Sequence, residues 1–532
     1  MKVGDEISLE CNRRARYLFE KMRGIEGITE ATVAYGSLAC KLNLGTIRPE
    51  DVVKEMNRAW RAYAEKDDSG RLIRVPACYE EPFALDLDWI AVRSKLSKGE
   101  VIRIHSQKVY TCMMLGFSPG FVYLDDVDPV IACPRLETPR LKVPSGSVGI
   151  GGEQTGIYGV EGPGGWRIVG RTPLTTFNPY VDPPTLVAPG DKVKFEPIST
   201  KEFEYIKSSF RKPSFEHKGI PIFEVHQPGV LTTIQDRGRT NHRHYGVPRS
   251  GGLDPLSQSQ ANYIIGNTAE DPTLEVIGGH FKAVALSASV VCVTGAKVGL
   301  TLDGKVMPSY EAISLERGNE IALGGPSQGF INYISVAGGF EGEFILDSYS
   351  TCLKGGFGGY GGRTLKSGDV LYALRLPEQV QPITVSEGRR VQLPSNGITM
   401  QVVPGSVEGY RQTWLDFISS KFLVTSASDR MGCRLRGTSR LTAEQGALLT
   451  YPTYPGYVQL PPDGDPIVLQ QDCQTTGGYM LLAYVPPYEM CKFSQAKPGA
   501  TISFREVGRE EVIEETVRFE ETLRSYFSVR NP

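Results

Sequence analysis

The sequence predicts an α+β protein that is mainly β, with its strands arranged in several small turn-rich domains. Three observations favour this class. The 532 residues include 59 glycines and 36 prolines, a composition typical of short strands joined by tight turns. Between residues 112 and 173, glycine and proline alternate with short apolar runs, as in a small closed barrel. The apolar content of 40% is that of a globular protein, and the length is sufficient for roughly three to five domains.

Residues 1–75 are predicted to fold as a ferredoxin-like sandwich. The predicted elements are, in order, a strand at EISLE, a helix over residues 12–23, a hairpin of ATVAYGS and LACKLNL, a helix that begins at Pro49, and a strand at RLIRVPACY. This order of strand, helix, two strands, helix and strand is that of a split βαβ unit.

The rest of the chain divides into turn-rich β units joined by charged segments. A barrel is expected over residues 76–198, after two short helices. The charged residues 199–220 carry no strand pattern and are interpreted as a linker made by gene fusion. Two β units of comparable length follow, compatible with a duplicated barrel, and Asp254 in the first is predicted to cap a helix. The first β unit, a connection, the second β unit and an amphipathic terminal helix occupy 221–375, 376–394, 395–508 and 509–532.

Charge and composition argue against several classes of protein. The 58 basic and 60 acidic side chains leave a formal net charge of −2, which does not favour a nucleic-acid partner. No apolar run approaches the roughly 18 residues of a membrane-spanning helix, and the N-terminus lacks the apolar core of a secretion signal. A cytoplasmic protein is therefore expected. The ten cysteines form no CxxC pair, as expected of reduced thiols.

Several cofactor motifs are absent from the sequence. There is no GxxxxGK[ST] loop, so ATP binding cannot be argued from a phosphate-binding motif. There is no Met-Lys-Met biotinylation site, so any biotin must arrive on a partner. The GxGxxG match at Gly356–Gly361 lacks a strand–helix unit and is interpreted as a turn. The histidines show no metal-ligand spacing, and no metal site is predicted.

Two loops are suited to amide chemistry. EQTGIY and CQTTGGY each place a carboxamide beside a hydroxyl and then glycine. Activation of an amide or lactam builds negative charge on oxygen, which preorganised N–H donors and guanidinium groups stabilise. The candidate catalytic residues are therefore Gln154, Thr155, Gln474 and Thr475, with Arg430 to neutralise anionic charge and His105 as a further candidate.

Each remaining candidate also has a structural interpretation. His105 either acts in catalysis or is a buried partner of a backbone carbonyl. Asp236 and Asp472 either serve the substrate or cap the N–H groups of turns. Arg167 and Arg171 either contact a ligand or are outer-strand arginines. The candidate substrate-binding residues are Tyr158, Arg167, Arg171, Asp236, Arg237 and Asp472. Cys473 lies inside one candidate loop and is a further, less favoured, reactive group.

Long ordered motifs carry a family resemblance. GFSPGFVYL, PSGSVGI and EQTGIYGVEGPGGWRIVGRTP closely resemble the smaller subunit of bacterial 5-oxoprolinase, over about Val75 to Ile198. The motifs that resemble the larger subunit lie at residues 228–267, 335–340, 355–371, 428–437 and 458–479. This group is related to the carboxyltransferase part of urea carboxylase, and some members are named as inhibitors of a sporulation histidine kinase. The two resemblances cover nearly the whole chain, with the smaller-subunit half first.

The resemblance implies a cyclophilin-like barrel at residues 76–198 and ATP-dependent opening of the 5-oxoproline lactam to glutamate. It also implies a separate partner of the LamB/YcsF type. One alternative is a biotin-dependent carboxyltransferase acting on urea or another small amide, with biotin carboxylase and biotin carrier partners that supply carboxybiotin. Another is a non-catalytic regulator of a histidine kinase. The substrate is expected in a cleft between the barrel at residues 76–198 and the second β unit at residues 395–508, where the two Gln–Thr turns meet. The oligomeric state, a homo-oligomer included, stays open.

Four positions depart from the family pattern. Gly159 stands where proline is usual, Ser406 interrupts a Pro-Gly-Pro-Gln loop, and Tyr349 replaces a common arginine. Leu481 lies where proline and lysine usually follow the QTTGGY motif. Two of these changes remove a cationic residue of the kind that recognises carboxylates, which leaves the substrate open.

Overall fold

A computed structural model of the chain describes residues 1–4, 7–64, 70–207, 213, 215–377, 379–394, 397–405, 410–442 and 449–528. The predicted class is confirmed, because the fold is α+β and mainly β. Two units are closed barrels of seven strands, and the unit between them is a pair of open sheets. None of the helices in the described ranges combines the length and the apolar character that a membrane crossing requires. Ser406 lies outside the described residues.

The N-terminal unit consists of two helices packed on a β-hairpin. Its elements are α1 (Leu9–Met22), β1 (Ile28–Val33), β2 (Leu38–Leu42) and α2 (Pro49–Arg61). The Ser8 side chain caps α1 by accepting from the N–H of Cys11 at 3.1 Å. Leu9 and Glu10 are therefore helical, and the prediction of a strand through the end of EISLE is wrong.

The strand predicted to close the N-terminal unit belongs to the first barrel instead. RLIRVPACY forms β3 (Leu72–Cys78), which pairs in parallel with β11 (Lys192–Ile198). Within the described residues, β1 and β2 form a two-stranded sheet, and Lys2 forms a bridge with Ser37 beside it. The ferredoxin-like sandwich is thus incomplete, because the inward residues of β3, Val75 and Ala77, pack in the barrel core.

The first barrel encloses an apolar core and is flanked by helices. Its remaining elements are α3 (Leu87–Ser94), α4 (Lys98–Gln107), β4 (Val109–Leu115), β5 (Val122–Asp126), β6 (Arg140–Val143), β7 (Ser147–Gly151), β8 (Gln154–Ile157), β9 (Gly162–Gly164), β10 (Arg167–Arg171) and α5 (Thr200–Lys207). Seven strands close it in the order β10-β3-β11-β4-β5-β8-β7, and β6 pairs with β9 beside it. Helix α5 lies at the start of the predicted linker, whose sequence carries no strand pattern.

The first β unit of the second half is a sandwich. Its elements are β12 (Ile220–Pro228), β13 (Leu231–Gln235), a 3-10 turn (Arg243–Tyr245), α6 (Pro255–Ile264), β14 (Thr273–Ile277), β15 (Phe281–Ala285), β16 (Ser289–Lys297), β17 (Leu300–Leu302), β18 (Lys305–Val306), β19 (Ala312–Leu315), β20 (Glu320–Leu323), β21 (Gln328–Val336) and β22 (Val370–Ala373). Its six-stranded and five-stranded sheets share one apolar core, so the prediction of a barrel here is wrong. Asp254 caps α6 by accepting from the N–H of Ser257, as predicted.

The second barrel closes the chain. Its elements, after a 3-10 turn at Glu387–Arg389, are β23 (Gly397–Pro404), α7 (Arg411–Ser419), β24 (Lys421–Val424), β25 (Gly432–Gly437), β26 (Tyr451–Pro452), β27 (Tyr457–Leu460), β28 (Ile467–Leu469), β29 (Thr476–Gly477), β30 (Met480–Tyr484), α8 (Pro487–Ser494), β31 (Thr501–Glu506) and α9 (Arg509–Ser528). Helix α9 confirms the predicted terminal helix. It buries Val512, Thr516 and Tyr526, and the Tyr526 hydroxyl accepts from Gln260 of α6 at 2.8 Å.

The two barrels have the same strand order. The second reads β30-β23-β31-β24-β25-β28-β27, which is the first with each strand replaced by its counterpart twenty places on. In both, the first and last strands pair in parallel, and a separate two-stranded antiparallel sheet lies beside the barrel. A duplicated barrel is therefore present, but it relates the first half to the end of the chain and not the two β units of the second half.

The core of the second barrel offers a direct test of this packing. Phe417 of α7 is fully buried and stacks on Phe504 of β31, with ring centroids 4.4 Å apart. We expect Phe417→Ala to lower the free energy of unfolding of this barrel by about 3–5 kcal/mol, because the cavity cannot collapse fully. Urea titration followed by the fluorescence of the neighbouring Trp414 measures the change. Leu415→Ala, on the exposed side of the same helix, is the matched control, and an equal loss in both variants would contradict the packing.

Candidate functional site

Loops from both halves meet at one place, which we call the inter-half junction. The segment between β4 and β5, GFSPGF, supplies the first half's side. The N–H of Phe117 donates to Thr476 Oγ1 at 3.1 Å, and the N–H of Gly120 donates to the carbonyl of Tyr245 at 2.9 Å. The ammonium group of Lys354 donates to the carbonyl of Phe117 at 3.2 Å. Motifs that are far apart in sequence are thereby brought into contact.

Glycine is required where these loops touch. A Cβ on Gly116 would lie 2.2 Å from Thr476 Oγ1, and one on Gly246 would lie 2.5 Å from the carbonyl oxygen of Ser118. Gly159, where the family has proline, faces the backbone of Pro119 at 2.2 Å from such a Cβ. Glycine at position 159 thus allows the backbone of Pro119, in the GFSPGF loop, to lie directly against it. Close approach of backbone to backbone is the reason for glycine at these positions.

Lys354 is the junction residue that sequence reasoning missed. Its side chain lies over the ring of Phe117, 4.6 Å from the centroid, and burial lowers its pKa to about 8. It immediately precedes the GGFGGYGG motif, which is a family signature, and a lysine beside a glycine-rich turn was the available signal. Its ammonium group remains mostly charged at neutral pH, in a partly dry setting.

Two hydroxyl groups on adjacent loops of the junction are buried without partners. Ser118 Oγ and Thr475 Oγ1 have no hydrogen-bond partner among the described residues, and both residues are buried. A buried hydroxyl normally finds a partner, because burial without one is costly. Each of these two hydroxyl groups is therefore available to hydrogen-bond a water molecule or a ligand.

A cavity of about 360 Å³ opens beside Tyr245 of the junction. It lies between α1, the turn at residues 188–189 and the 3-10 turn that precedes Gly246. Its lining is Arg13, Arg16, Tyr17, Phe19, Glu20, Arg23, Val33, Tyr63, Ala64, Ala188, Pro189, His244 and Tyr245. Burial, with help from the charge of Arg23, lowers the pKa of His244 to about 3 and keeps it neutral. The cavity thus involves the N-terminal unit, whereas the sequence predicted a cleft between the first barrel and the second β unit at residues 395–508.

Arg243 fixes the second Gln–Thr turn from behind. Its Nη2 donates to the carbonyls of Thr453 at 2.5 Å and Gln474 at 3.1 Å, and it lies 3.9 Å from Cys473 Sγ. The hydroxyl of Thr453 also donates to the Gln474 carbonyl. Cys473 is fully buried, and burial raises the pKa of its thiol, which does not favour a reactive thiolate.

The first Gln–Thr turn lies elsewhere. Thr155 is fully buried in the first barrel, where its hydroxyl donates to the carbonyl of Gly149 at 3.0 Å and contacts His105 Nε2 at 2.9 Å. His105 Nδ1 is 2.9 Å from the hydroxyl of Tyr79, and burial lowers the pKa of His105 to about 3. Gln154 accepts from the hydroxyl of Tyr35 at 2.6 Å. The polar groups of Thr155 and His105 are thus hydrogen-bonded inside the barrel wall, and a catalytic role for either residue stays a prediction.

Topology explains why the two turns do not meet. Gln154 and Thr155 begin β8, which is one of the strands of the first barrel. Gln474 and Thr475 instead precede β29, which belongs to the two-stranded sheet beside the second barrel. The counterpart of β8 in the second barrel is β28. The two motifs have similar sequences but thus occupy different positions in the same fold. The GFSPGF loop is the part of the first half that meets the second turn.

Arg430 belongs to a buried ionic cluster. Its Nε donates to Asp472 Oδ2 at 2.9 Å, its Nη2 donates to the carbonyl of Gly251 at 2.7 Å, and its Nη1 contacts Glu275. Glu275 also accepts from the hydroxyl of Tyr333 at 2.6 Å. Arg430 and Asp472 are therefore partners of each other in this structure, and their roles toward a substrate stay predictions. The cluster joins the sandwich to the second barrel.

Asp236 confirms the capping interpretation. Its carboxylate accepts from the N–H of Gly238 at 2.8 Å and the N–H of Tyr349 at 2.7 Å, and from the hydroxyls of Ser348 and Ser350. These contacts are those of a loop cap, and a substrate-binding role for Asp236 stays a prediction. The departure at Tyr349 keeps its backbone donor. Arg237 is exposed and lies 3.5 Å from Glu270.

The remaining candidates of the first half support its own structure. Tyr158 is buried in an aromatic cluster, with its ring 4.8 Å from that of Phe121. Arg167 lies over the ring of Trp89, 3.2 Å from the centroid, and donates to the carbonyl of Pro134. Arg171 donates to the carbonyl of Ser145 at 2.8 Å. The outer-strand interpretation fits these arginines, and a substrate contact stays a prediction.

Comparison with known proteins places this architecture. The family model "Carboxyltransferase domain, subdomain C and D" matches residues 1–187, and "Carboxyltransferase domain, subdomain A and B" matches residues 245–506. The chain belongs to the carboxyltransferase-domain family. The predicted resemblance is thereby confirmed.

Relatives match the two halves separately. A 5-oxoprolinase subunit of Bacillus subtilis is 38% identical over 220 residues, which are 39% of this chain and 92% of that protein. A different 5-oxoprolinase subunit, that of Escherichia coli, is 33% identical over 294 residues, 55% of this chain and 93% of that protein. Urea amidolyase of Saccharomyces cerevisiae is 31% identical over 319 residues, but only 17% of its length is covered. The solved structure of TTHA0988 covers 95% of this chain and 99% of its own, with 31% identity and a TM-score of 0.81.

The neutral, buried His105 predicts acid sensitivity of the first barrel. Its pKa of about 3 in the folded state lies below the ordinary value near 6.5, so the unfolded chain binds a proton first as the pH falls. Stability is therefore lost from about pH 6.5 downward, by about 2 kcal/mol between pH 7 and pH 5 from this residue. Urea unfolding at both pH values measures it. We expect His105→Asn to flatten the dependence by that amount.

The control for this prediction is His280→Asn. His280 is exposed and has a positive φ of 59°, which asparagine tolerates. This variant should keep the pH dependence of the parent protein. An unchanged pH dependence in His105→Asn would show that the imidazole is not held neutral.

Proposed function

We propose that this chain is a 5-oxoprolinase component that joins the counterparts of two separate 5-oxoprolinase subunits in one polypeptide. The observation that carries the proposal is the match of each half to a different named subunit, over 92% and 93% of those proteins. Support also comes from the inter-half junction, since glycine-rich motifs of both halves contact each other there. A fused chain gives the two halves a fixed one-to-one ratio.

The chemistry is assigned to the junction. Opening of a lactam builds negative charge on the carbonyl oxygen as the carbon–nitrogen bond breaks. The ammonium group of Lys354 would stabilise that charge, because burial strengthens its field. The unpartnered hydroxyls of Ser118 and Thr475 would hydrogen-bond the amide. A small cyclic amide matches this donor set better than a triphosphate does.

ATP use is assigned to a partner. The sequence has no GxxxxGK[ST] loop, and the junction offers a single described ammonium group, Lys354, which does not fit a nucleotide triphosphate. A separate protein of the LamB/YcsF type would therefore bind ATP and supply the activated carbonyl. The junction would orient the substrate and hold its charge.

A biotin-dependent carboxyltransferase is the second candidate. The family-model name and relatives named urea amidolyase support it. Biotin would arrive on a carrier protein, since the sequence has no Met-Lys-Met site. Here Lys354 and the two hydroxyls would hold the accepting amide. Labelled bicarbonate distinguishes the candidates, because carboxyl transfer carries the label into product and lactam opening does not.

The proposal is tested by reconstitution with a LamB/YcsF-type protein from the same source. Release of glutamate and ADP from 5-oxoproline and ATP is the readout. We expect Lys354→Met to lower turnover about 10²-fold or more, because a preorganised charge is lost. Thr475→Val removes a hydroxyl that has no partner among the described residues, so a purely structural role predicts unchanged stability and activity. A fall in turnover without a fall in melting temperature therefore indicates substrate contact.

Lys305→Met is the matched control, since Lys305 is exposed on β18 of the sandwich. It should keep the turnover of the parent protein. Reconstituted activity that is equal in Lys354→Met and the parent would remove the junction from the reaction. Absence of glutamate, with incorporation of label from bicarbonate in the presence of a biotin carrier and its carboxylase, would favour the second candidate.

A further inference from the structure

One face of the N-terminal hairpin packs against the second half through polar groups. Glu30 of β1 lies directly opposite Lys41 of β2, so their side chains share this face. Thr32, two residues on, contacts the hydroxyl of Tyr454 at 3.1 Å. The carbonyl of Ala39 accepts from the same hydroxyl at 3.4 Å. The hairpin is therefore fixed over the second barrel, with Glu30 and Lys41 inside the contact.

Arg243 meets Glu30 in this contact but leaves donors unused. Its Nε lies 3.9 Å from Glu30 Oε2, beyond hydrogen-bond distance, and both side chains are at least 95% buried. Its Nε and Nη1 are buried and have no hydrogen-bond partner among the described residues. Glu30 Oε1 and Arg249 Nε are buried without partners in the same part of the chain. Buried charged groups with unused hydrogen-bonding atoms indicate a bound ion or water.

The charges around this point do not balance. Three cationic side chains, those of Lys41, Arg243 and Arg249, interact electrostatically with the carboxylate of Glu30. The field of Arg249, together with burial, lowers the pKa of Lys41 to about 7, which reports an excess of positive charge. Of the other carboxylates nearby, Glu520 of α9 lies 3.4 Å from Arg524, and Asp236 accepts four hydrogen bonds from its own loops. Excess buried charge of one sign is unfavourable unless a counter-ion is present.

We propose that a small oxyanion, either a carboxylate or an inorganic phosphate or bicarbonate, binds between Lys41, Arg243 and Arg249. The unused N–H groups of Arg243 and Arg249 supply donors in the forked geometry that oxyanions accept. Lys41 and Arg249 are only half-buried, so the anion enters from their side. The site is distinct from Lys354 and the hydroxyls of the junction.

A bound anion would act on the second Gln–Thr turn through one residue. Arg243 donates to the carbonyl of Gln474, so the anion and the turn share one guanidinium group. Anion binding therefore fixes Arg243 and, with it, the turn that ends at Thr476. This inference does not depend on the proposed lactam chemistry, because it concerns binding alone.

Calorimetric titration of the full chain in chloride-free buffer tests the proposal. The probes are inorganic phosphate, bicarbonate and L-glutamate, each titrated separately. We expect saturable one-to-one binding of at least one probe, weakened at least tenfold in Lys41→Met and in Arg249→Met. Binding of glutamate alone identifies a carboxylate site, and binding of phosphate or bicarbonate identifies an inorganic oxyanion site.

Lys54→Met is the control, because Lys54 is exposed on α2 of the same unit and pairs with Asp51 at 2.9 Å. It should bind the probe as the parent protein does. Melting temperatures of all variants establish that each is folded, and two independent variants guard against loss of structure in one. Absence of saturable binding of every probe, or binding that is equal in Lys41→Met, Arg249→Met and the parent, overturns the proposal.

Discussion

The arrangement of the two halves depends on one buried guanidinium group. Arg243 lies on a short turn of the sandwich, yet it donates to carbonyls of the second barrel and lies beside Glu30 of the N-terminal hairpin. Three units therefore meet around a single side chain. Burial of an unpaired charge is energetically costly, so the contacts of Arg243 favour one placement of the three units. It also fixes the CQTTGGY turn where the GFSPGF loop of the first half reaches it.

Each half contributes one barrel of the same topology, and the halves differ in the loops that leave those barrels. The first barrel contributes the GFSPGF loop between β4 and β5, which needs glycine to approach its neighbours. The second barrel contributes the two-stranded sheet of β26 and β29, which lies beside it. The sandwich lies between them and adds Lys354. The junction is therefore built from loops, while the barrel cores hold those loops in place.

The sequence predicted much of the fold and less of the site. Motifs identified the family, and periodicity with caps located α2, α6 and α9. Strand partners were less accessible: β3 looks like the end of the first unit until its parallel pairing with β11 is known. The partners of the candidate site residues were hard to predict for the same reason. Arg430 has the chemistry of an anion binder, but its pairing with Glu275 joins residues 155 positions apart. EQTGIY and CQTTGGY have similar sequences, but this similarity did not indicate that they occupy different positions in the fold.

We propose that the reactive site forms only where the two halves touch, at Gly116 and Thr476. Turnover of Gly116→Ala tests it most directly, because the added methyl group would lie 2.2 Å from Thr476 Oγ1 and separate the loops. Gly99→Ala, where nothing lies within 4 Å, is the control. We expect a loss of turnover of about tenfold or more in Gly116→Ala alone, with both variants folded. Equal turnover in the two variants would contradict it.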